Sequence, residues 1–302
     1  MMNLANNHKI LYDKNMNAKT KEKKNLILML LAGVSILVLI VCIVQFCFYT
    51  ISSYRQSAQH AALRGLIGSS KVTLSQDLET GRPAVISDAA EAYTDEQTAA
   101  SGEDTPSVLD KYISLYELNS DLVGWISIEG TEIDYPVMQT LYDEEYYLHR
   151  DFYREDAKPG LPFMDSRCII SAPSTNLIIY VHNMKNGSMF ADLLKYEDEA
   201  FYKEHRFIRF DTIYEEALYE IVAVFRTRVA YSTEDTFRFY NFIQADSAQD
   251  FYEYYTAIRS LSLYDIDATA YSSDYLLTLA TCEYTVEDGR FVVVARRITS
   301  VD

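Results

Sequence analysis

Cys282 closes the apolar run Tyr275-Leu-Leu-Thr-Leu-Ala-Thr-Cys282. A cysteine in that place is either a small buried hydrophobe or a thiol presented at the end of a strand, and the run by itself leaves both open. Eight residues on, Arg290 opens a second apolar run, Arg290-Phe-Val-Val-Val294. A hairpin between the two would return the guanidinium toward the thiol, where a fixed cation favours thiolate or neutralises an oxyanion. Without Cys282, Arg290 reads equally well as a solvated charge at a strand edge. His182 ends a third apolar run, residues 177–181, and precedes Asn183 and Met184. An imidazole at a strand end can pass a proton to a leaving amine and take one from an incoming nucleophile. Such partners meet only in the fold, so their separation in sequence is no objection. Glu283 is the carboxylate nearest the thiol. It either orients His182 or touches substrate, or it is a solvated loop charge.

Other chemistries find little support. His8 and His60 lie before the region of strands, and His149 and His205 sit in polar contexts expected at the surface. No paired-cysteine metal motif, HExxH helix motif or phosphate-binding glycine loop occurs, and Asp143-Glu144-Glu145 lacks the pattern of a calcium loop. No metal or cofactor is expected.

The elements that must position these groups are mainly strands. Apolar segments at 123–128, 133–137, 161–165, 177–181, 207–211, 219–225, 275–282 and 291–298 are separated by turn signals, a pattern of barrels and sandwiches. Twenty-five tyrosines against one tryptophan suit pleated, half-buried positions. Ser107 and Asp110 suggest a capped helix with Val108, Tyr112, Leu115 and Tyr116 on one face. Asp246 with Gln249 suggests a second, carrying the stripe Phe251, Tyr255 and Ile258. A short helical segment is also expected from Ser188.

Residues 26–51 contain no charged side chain. As a helix they would reach roughly 39 Å, more than the ~30 Å hydrocarbon core. No signal-cleavage pattern follows, so a transmembrane helix is expected. Residues 1–24 carry six lysines against Asp13 and Glu22, a local charge of +4 in a chain of net charge -17. Lysines immediately before the span place residues 1–25 in the cytoplasm and the remainder outside. So acidic an exterior disfavours nucleic acid. Residues 52–106 read as a linker, because their later part is poor in large apolar side chains. Residues 107–302 form the globular domain. Cys42 and Cys47 fall in the span, which leaves Cys168 and Cys282 outside.

Three motifs together resemble the class B sortases. Tyr180-Val-His-Asn-Met-Lys-Asn-Gly-Ser-Met-Phe190 is similar to their histidine motif, Thr278-Leu-Ala-Thr-Cys-Glu283 to their nucleophile motif, and Arg290-Phe-Val-Val-Val294 to their arginine strand. Asp121-Leu-Val-Gly-Trp-Ile126, Tyr135-Pro-Val137 and Phe163-Met-Asp165 also match barrel segments of the family. The resemblance covers about residues 107–302, and the helix expected near 246–261 distinguishes class B from class A. Ala280 stands where relatives often carry serine.

The resemblance implies a closed β-barrel of about eight strands, with an N-terminal helix and a helix inserted between the last barrel strands. It further implies a cysteine transpeptidase with Cys282, His182 and Arg290 catalytic. Thr281 and Glu283 become candidate substrate contacts. The implied partners are exported proteins with a C-terminal sorting signal, cleaved after threonine, and an amine of a cell-wall precursor or pilin. Cys168 is then structural. Two further readings stay open: a hydrolytic cysteine protease, and a non-catalytic anchored binding protein on the same barrel.

Overall fold

In the computed structural model the described residues are 2–67, 106–184, 186–229, 237–283 and 288–298. They fall into two units, Met1–Ala62 and Leu63–Asp302. The first consists of most of one long helix, α1 (Met2–Leu66). Within it Met29–Phe48 has a mean hydropathy of 2.8 and no buried part, a stretch that fits a membrane anchor or a signal.

Short strands with alternating and fully apolar faces build the second unit. These are β1 (Leu122–Ser127), β2 (Asp134–Met138), β3 (Phe163–Met164), β4 (Asn176–Val181), β5 (Phe207–Thr212), β6 (Leu218–Arg228), β7 (Leu276–Glu283) and β8 (Gly289–Ile298). They close into one barrel in the order β1-β2-β3-β4-β7-β8-β6-β5, with β5 returning to β1. Pairing is antiparallel except for β2–β3 and β4–β7. A parallel pair needs a long crossover. The one between β4 and β7 contains a 3-10 helix (Phe190–Glu197), α3 (Glu199–Glu204), β5, β6 and α4 (Ala248–Leu261). Helix α2 (Ile113–Leu118) precedes β1.

Local chemistry accounts for the ends of α4. The Asp250 amide donates to Ser247 Oγ, and Asp250 Oδ2 accepts from the Asp246 amide, a reciprocal cap of two otherwise orphaned donors. The cap is therefore Ser247 rather than the expected Asp246. Phe251, Tyr254 and Ile258 are buried on its inner face. At the β6 irregularity between Ile221 and Ala223, the Val222 carbonyl accepts instead from Arg259 on α4 at 2.9 Å. The helix thus satisfies the backbone group that the bulge frees.

Three expectations change. The Ser107 cap does not form. A 3-10 turn (Asp110–Tyr112) leads into α2 without a side-chain cap, although Tyr112 and Leu115 are buried as the stripe required. The strand expected at 161–165 shrinks to Phe163–Met164, which pair with Tyr180 and Ile179 of β4, Phe163 pairing also with Met138 of β2. Leu63 and Arg64, inside the expected linker, belong to the globular unit. Leu63 is fully buried in a cluster with Tyr112, Trp125 and Met138, and Arg64 Nε pairs with Asp134 at 2.8 Å. Residues 68–105, which carry most of the expected linker, lie outside the described residues.

Candidate active site

The two parallel neighbours decide where the chemistry can be. β4 and β7 run in register from Asn176↔Leu276 to Val181↔Thr281, so their C-terminal ends reach the same rim. His182 follows Val181, and Cys282 follows Thr281. On the other side β7 and β8 are antiparallel, with Cys282 directly opposite Arg290. Directly paired cross-strand residues have Cα atoms about 4.5–5.5 Å apart and side chains on one face. Thiol, imidazole and guanidinium all line one cleft of about 380 Å³, with Leu148, Ala280 and Thr281 among its other walls.

Each group is held by identifiable contacts. Cys282 is a free, half-buried thiol, and its carbonyl accepts from Asn183 Nδ2 at 3.4 Å. Arg290 is half-buried, with Nη1 donating to the Gly289 carbonyl at 2.9 Å. The buried Thr281 hydroxyl donates to the Val181 carbonyl at 2.8 Å, tying β7 to β4 one residue before both His182 and Cys282. This substrate-contact candidate therefore spends its hydroxyl on the frame. Glu283, the other candidate, pairs through its backbone with Gly289, and its side chain lies outside the described part.

His182 is half-buried and stacks against His149, ring centroids 5.2 Å apart and planes 27° apart. Its Nε2 is buried with no hydrogen-bond partner among the described residues. The Leu148 backbone lies near enough to the ring to favour its charged form. Burial, then the neighbouring His149, push the imidazole below its ordinary value; the Leu148 backbone opposes them. The neutral ring is thus favoured, and its Nε2 has no partner among the described residues in the cleft that contains a free thiol. A buried polar atom left unpaired is costly, and such atoms mark functional sites.

The same cleft carries further charge. Buried Asp165 accepts from Arg167 Nε at 2.8 Å and Nη2 at 2.6 Å, from the Arg167 amide at 3.0 Å and from Tyr180 at 3.1 Å. Burial alone would raise the Asp165 carboxyl, but the Arg167 bonds carry it below its ordinary value. Burial, then Asp165, raise the neighbouring Glu144 carboxyl. Cys168 stands apart from this cleft. Its thiol is 3% exposed, bonded to the backbone of Asn176 and Ile178, and pushed up to about 12 by burial.

Sequence reasoning missed His149, which was expected only as a surface group. It is exposed, yet its ring covers a face of His182. Asn183 was adjacent to a candidate and so within reach of inspection; nothing local pointed to His149. His205, also expected at the surface, bonds the Glu129 carbonyl at 2.8 Å, far from any of these groups in the barrel order.

A thiol, an imidazole and a guanidinium at one rim are the groups that acyl transfer through a thioester requires. The comparisons agree with that chemistry. The family described as Sortase domain matches residues 126–298. Sortase B of Listeria monocytogenes is 35% identical over 217 residues, covering 71% of this chain and 84% of the relative. The structure of sortase B from B. anthracis in complex with AAEK1 superposes with a TM-score of 0.62 at 28% identity, over 82% of this chain and 99% of that one. A Staphylococcus aureus sortase B–substrate complex gives 0.62 at 26% identity, over 82% and 98%.

Proposed function

The chain belongs to the sortase family, class B, and is a cysteine transpeptidase; from that premise we propose that Cys282 is its nucleophile, His182 its acid–base group and Arg290 its oxyanion partner. The observation that carries this is the unpaired Nε2 of His182 in one cleft with the free Cys282 thiol, at the ends of adjacent parallel strands.

The reaction runs as two acyl transfers. Cys282 Sγ bonds to the carbonyl carbon of the scissile peptide as His182 Nε2 takes the thiol proton. The carbonyl electron pair moves onto oxygen, where Arg290 neutralises it. The C–N bond then breaks, and His182 returns its proton to the departing amine. A thioester remains. An incoming amine attacks this carbonyl and gives a proton to His182. The C–S bond breaks, and the sulfur recovers the proton. Removing an oxyanion donor costs about 10²–10³ in kcat, so Arg290→Ala should fall in that range.

The scissile bond is proposed to follow a threonine in the C-terminal sorting signal of exported proteins. The accepting amine would belong to a cell-wall precursor or a pilin. Residues 26–51 would anchor the enzyme in the cell membrane, with residues 1–25 cytoplasmic and the catalytic domain, 107–302, outside. There it meets both an exported substrate and a surface acceptor. Thr281 would contribute through its backbone, its hydroxyl being committed to Val181, and Glu283 at the cleft rim.

The test incubates the full chain, in detergent or membranes, with sorting-signal peptides, with and without an oligoglycine or diaminopimelate-containing amine. Wild type should release the C-terminal fragment and, with amine present, form the transpeptidation product. Cys282→Ala should do neither. Equal turnover by that variant sinks the nucleophile assignment; cleavage that never yields an amine adduct favours the hydrolytic reading.

A further inference from the structure

The 3-10 turn Tyr146–His149 meets His182 twice. Its Leu148 backbone lies against the imidazole, and the His149 ring covers one face at 5.2 Å. An imidazole at a strand end can turn about its side-chain bonds; a ring against its face limits this freedom. The turn itself is firmly seated. Tyr147 is fully buried, its hydroxyl donating to Asp121 at 2.7 Å and accepting from Asn119 at 2.8 Å. The Tyr147 carbonyl accepts from Leu161 at 2.9 Å, and the His149 carbonyl from Ala157 at 3.0 Å. His149 is therefore placed by a rigid support, although its own side chain is exposed.

We propose that His149 is a positioning residue for His182: its ring covers one face of the imidazole and limits its rotation in the cleft, and a charge on His149 opposes a second one on His182. Two imidazolium rings in a near-parallel stack repel, so the pair shares one proton more readily than two. The consequence is that the neutral His182 ring persists to lower pH than it would beside an uncharged neighbour. The ionisable groups lining the cleft beside His182 are Cys282 from β7, Arg290 from β8, Tyr180 from β4, Glu144 and Glu145 from the segment before the turn, the Asp165–Arg167 pair after β3, and Tyr240. Of these cleft groups and His149, only His149 is in ring contact with His182 among the described residues.

The inference rests on the acid–base role proposed for His182, and its test separates the two. Full-length protein labelled at histidine Cε1 is titrated by NMR in detergent, with the His182 resonance identified by its loss in His182→Gln. In His149→Phe, which keeps a ring but cannot be charged, the His182 midpoint should rise by about half a pH unit, as expected for two charges near 5 Å apart in a water-like dielectric. His149→Ala should show the same rise together with a severalfold lower plateau kcat, because the face is uncovered. A His182 midpoint unmoved in both variants overturns the inference, whatever their turnover. Undiminished turnover in His182→Gln instead overturns the premise, which the titration does not touch.

Discussion

Gly160 carries a demand that can be put to a quantitative test. Its φ is +60°, and a Cβ built there would lie 2.2 Å from the Leu148 carbonyl oxygen and 2.4 Å from that of Tyr147. Ordinary contact begins near 3.4 Å, so in Gly160→Ala the chain must retreat by about 1 Å. The retreat strains two bonds, Gly160 to Ala157 and Leu161 to Tyr147, both 2.9 Å, and it shifts Leu148, whose backbone lies against His182. A left-handed backbone costs a non-glycine residue about 1–2 kcal/mol, and each lost bond about 1 kcal/mol. The sum, roughly 3–4 kcal/mol, should lower the melting temperature of the globular unit by about 10 °C. Catalysis should suffer separately, because a misplacement of about 1 Å costs up to ~10² in rate. We expect kcat to fall at least tenfold in the peptide–amine assay. Gly187→Ala is the control: its φ is +85°, but no atom lies within 4 Å of the added Cβ. It should pay only the backbone cost, melting a few degrees lower. If Gly160→Ala melts and turns over no worse than Gly187→Ala, the Leu148 backbone does not position His182.

Three other outcomes are expected. Thr281→Val, which keeps the shape but deletes the buried hydroxyl bond to Val181, should cost about 1 kcal/mol in urea unfolding and lower kcat, since that bond sets the spacing of β4 and β7; unchanged kcat would show that this spacing is held elsewhere. The Asp165 carboxyl is lowered from 3.8 in the fold, so it contributes stability above that value and loses it as pH falls through the lower folded one. Urea midpoints from pH 5 to pH 2 should therefore drop less steeply in Asp165→Asn than in wild type, and parallel curves would refute the linkage. Iodoacetamide at pH 8 followed by peptide mapping should modify Cys282 and spare Cys168, whose thiol is buried and pushed up to about 12; equal labelling in the native protein would contradict the burial.

What could be read from the chain was what neighbours in sequence control. The apolar alternation of 219–225 and 291–298 demanded strands, because the two-residue period is a property of each strand alone. The eight-residue step from Cys282 to Arg290 suggested their pairing for the same reason, a hairpin being a local contact. The start of α4 was legible to within one residue from its capping chemistry. The uncharged run at 26–51 required nothing from the rest of the fold. Periodicity, however, names no partner. That β4 lies beside β7 across some hundred intervening residues follows only from barrel closure, and this pairing alone brings His182 to the rim that holds Cys282. His149, Leu63 and Gly160 were silent for a related reason. Each matters through a group distant in sequence: an imidazole face, a hydrophobic cluster, a carbonyl that leaves no room for a side chain. Contacts of that kind come into being only when the chain closes, so tertiary structure decided them.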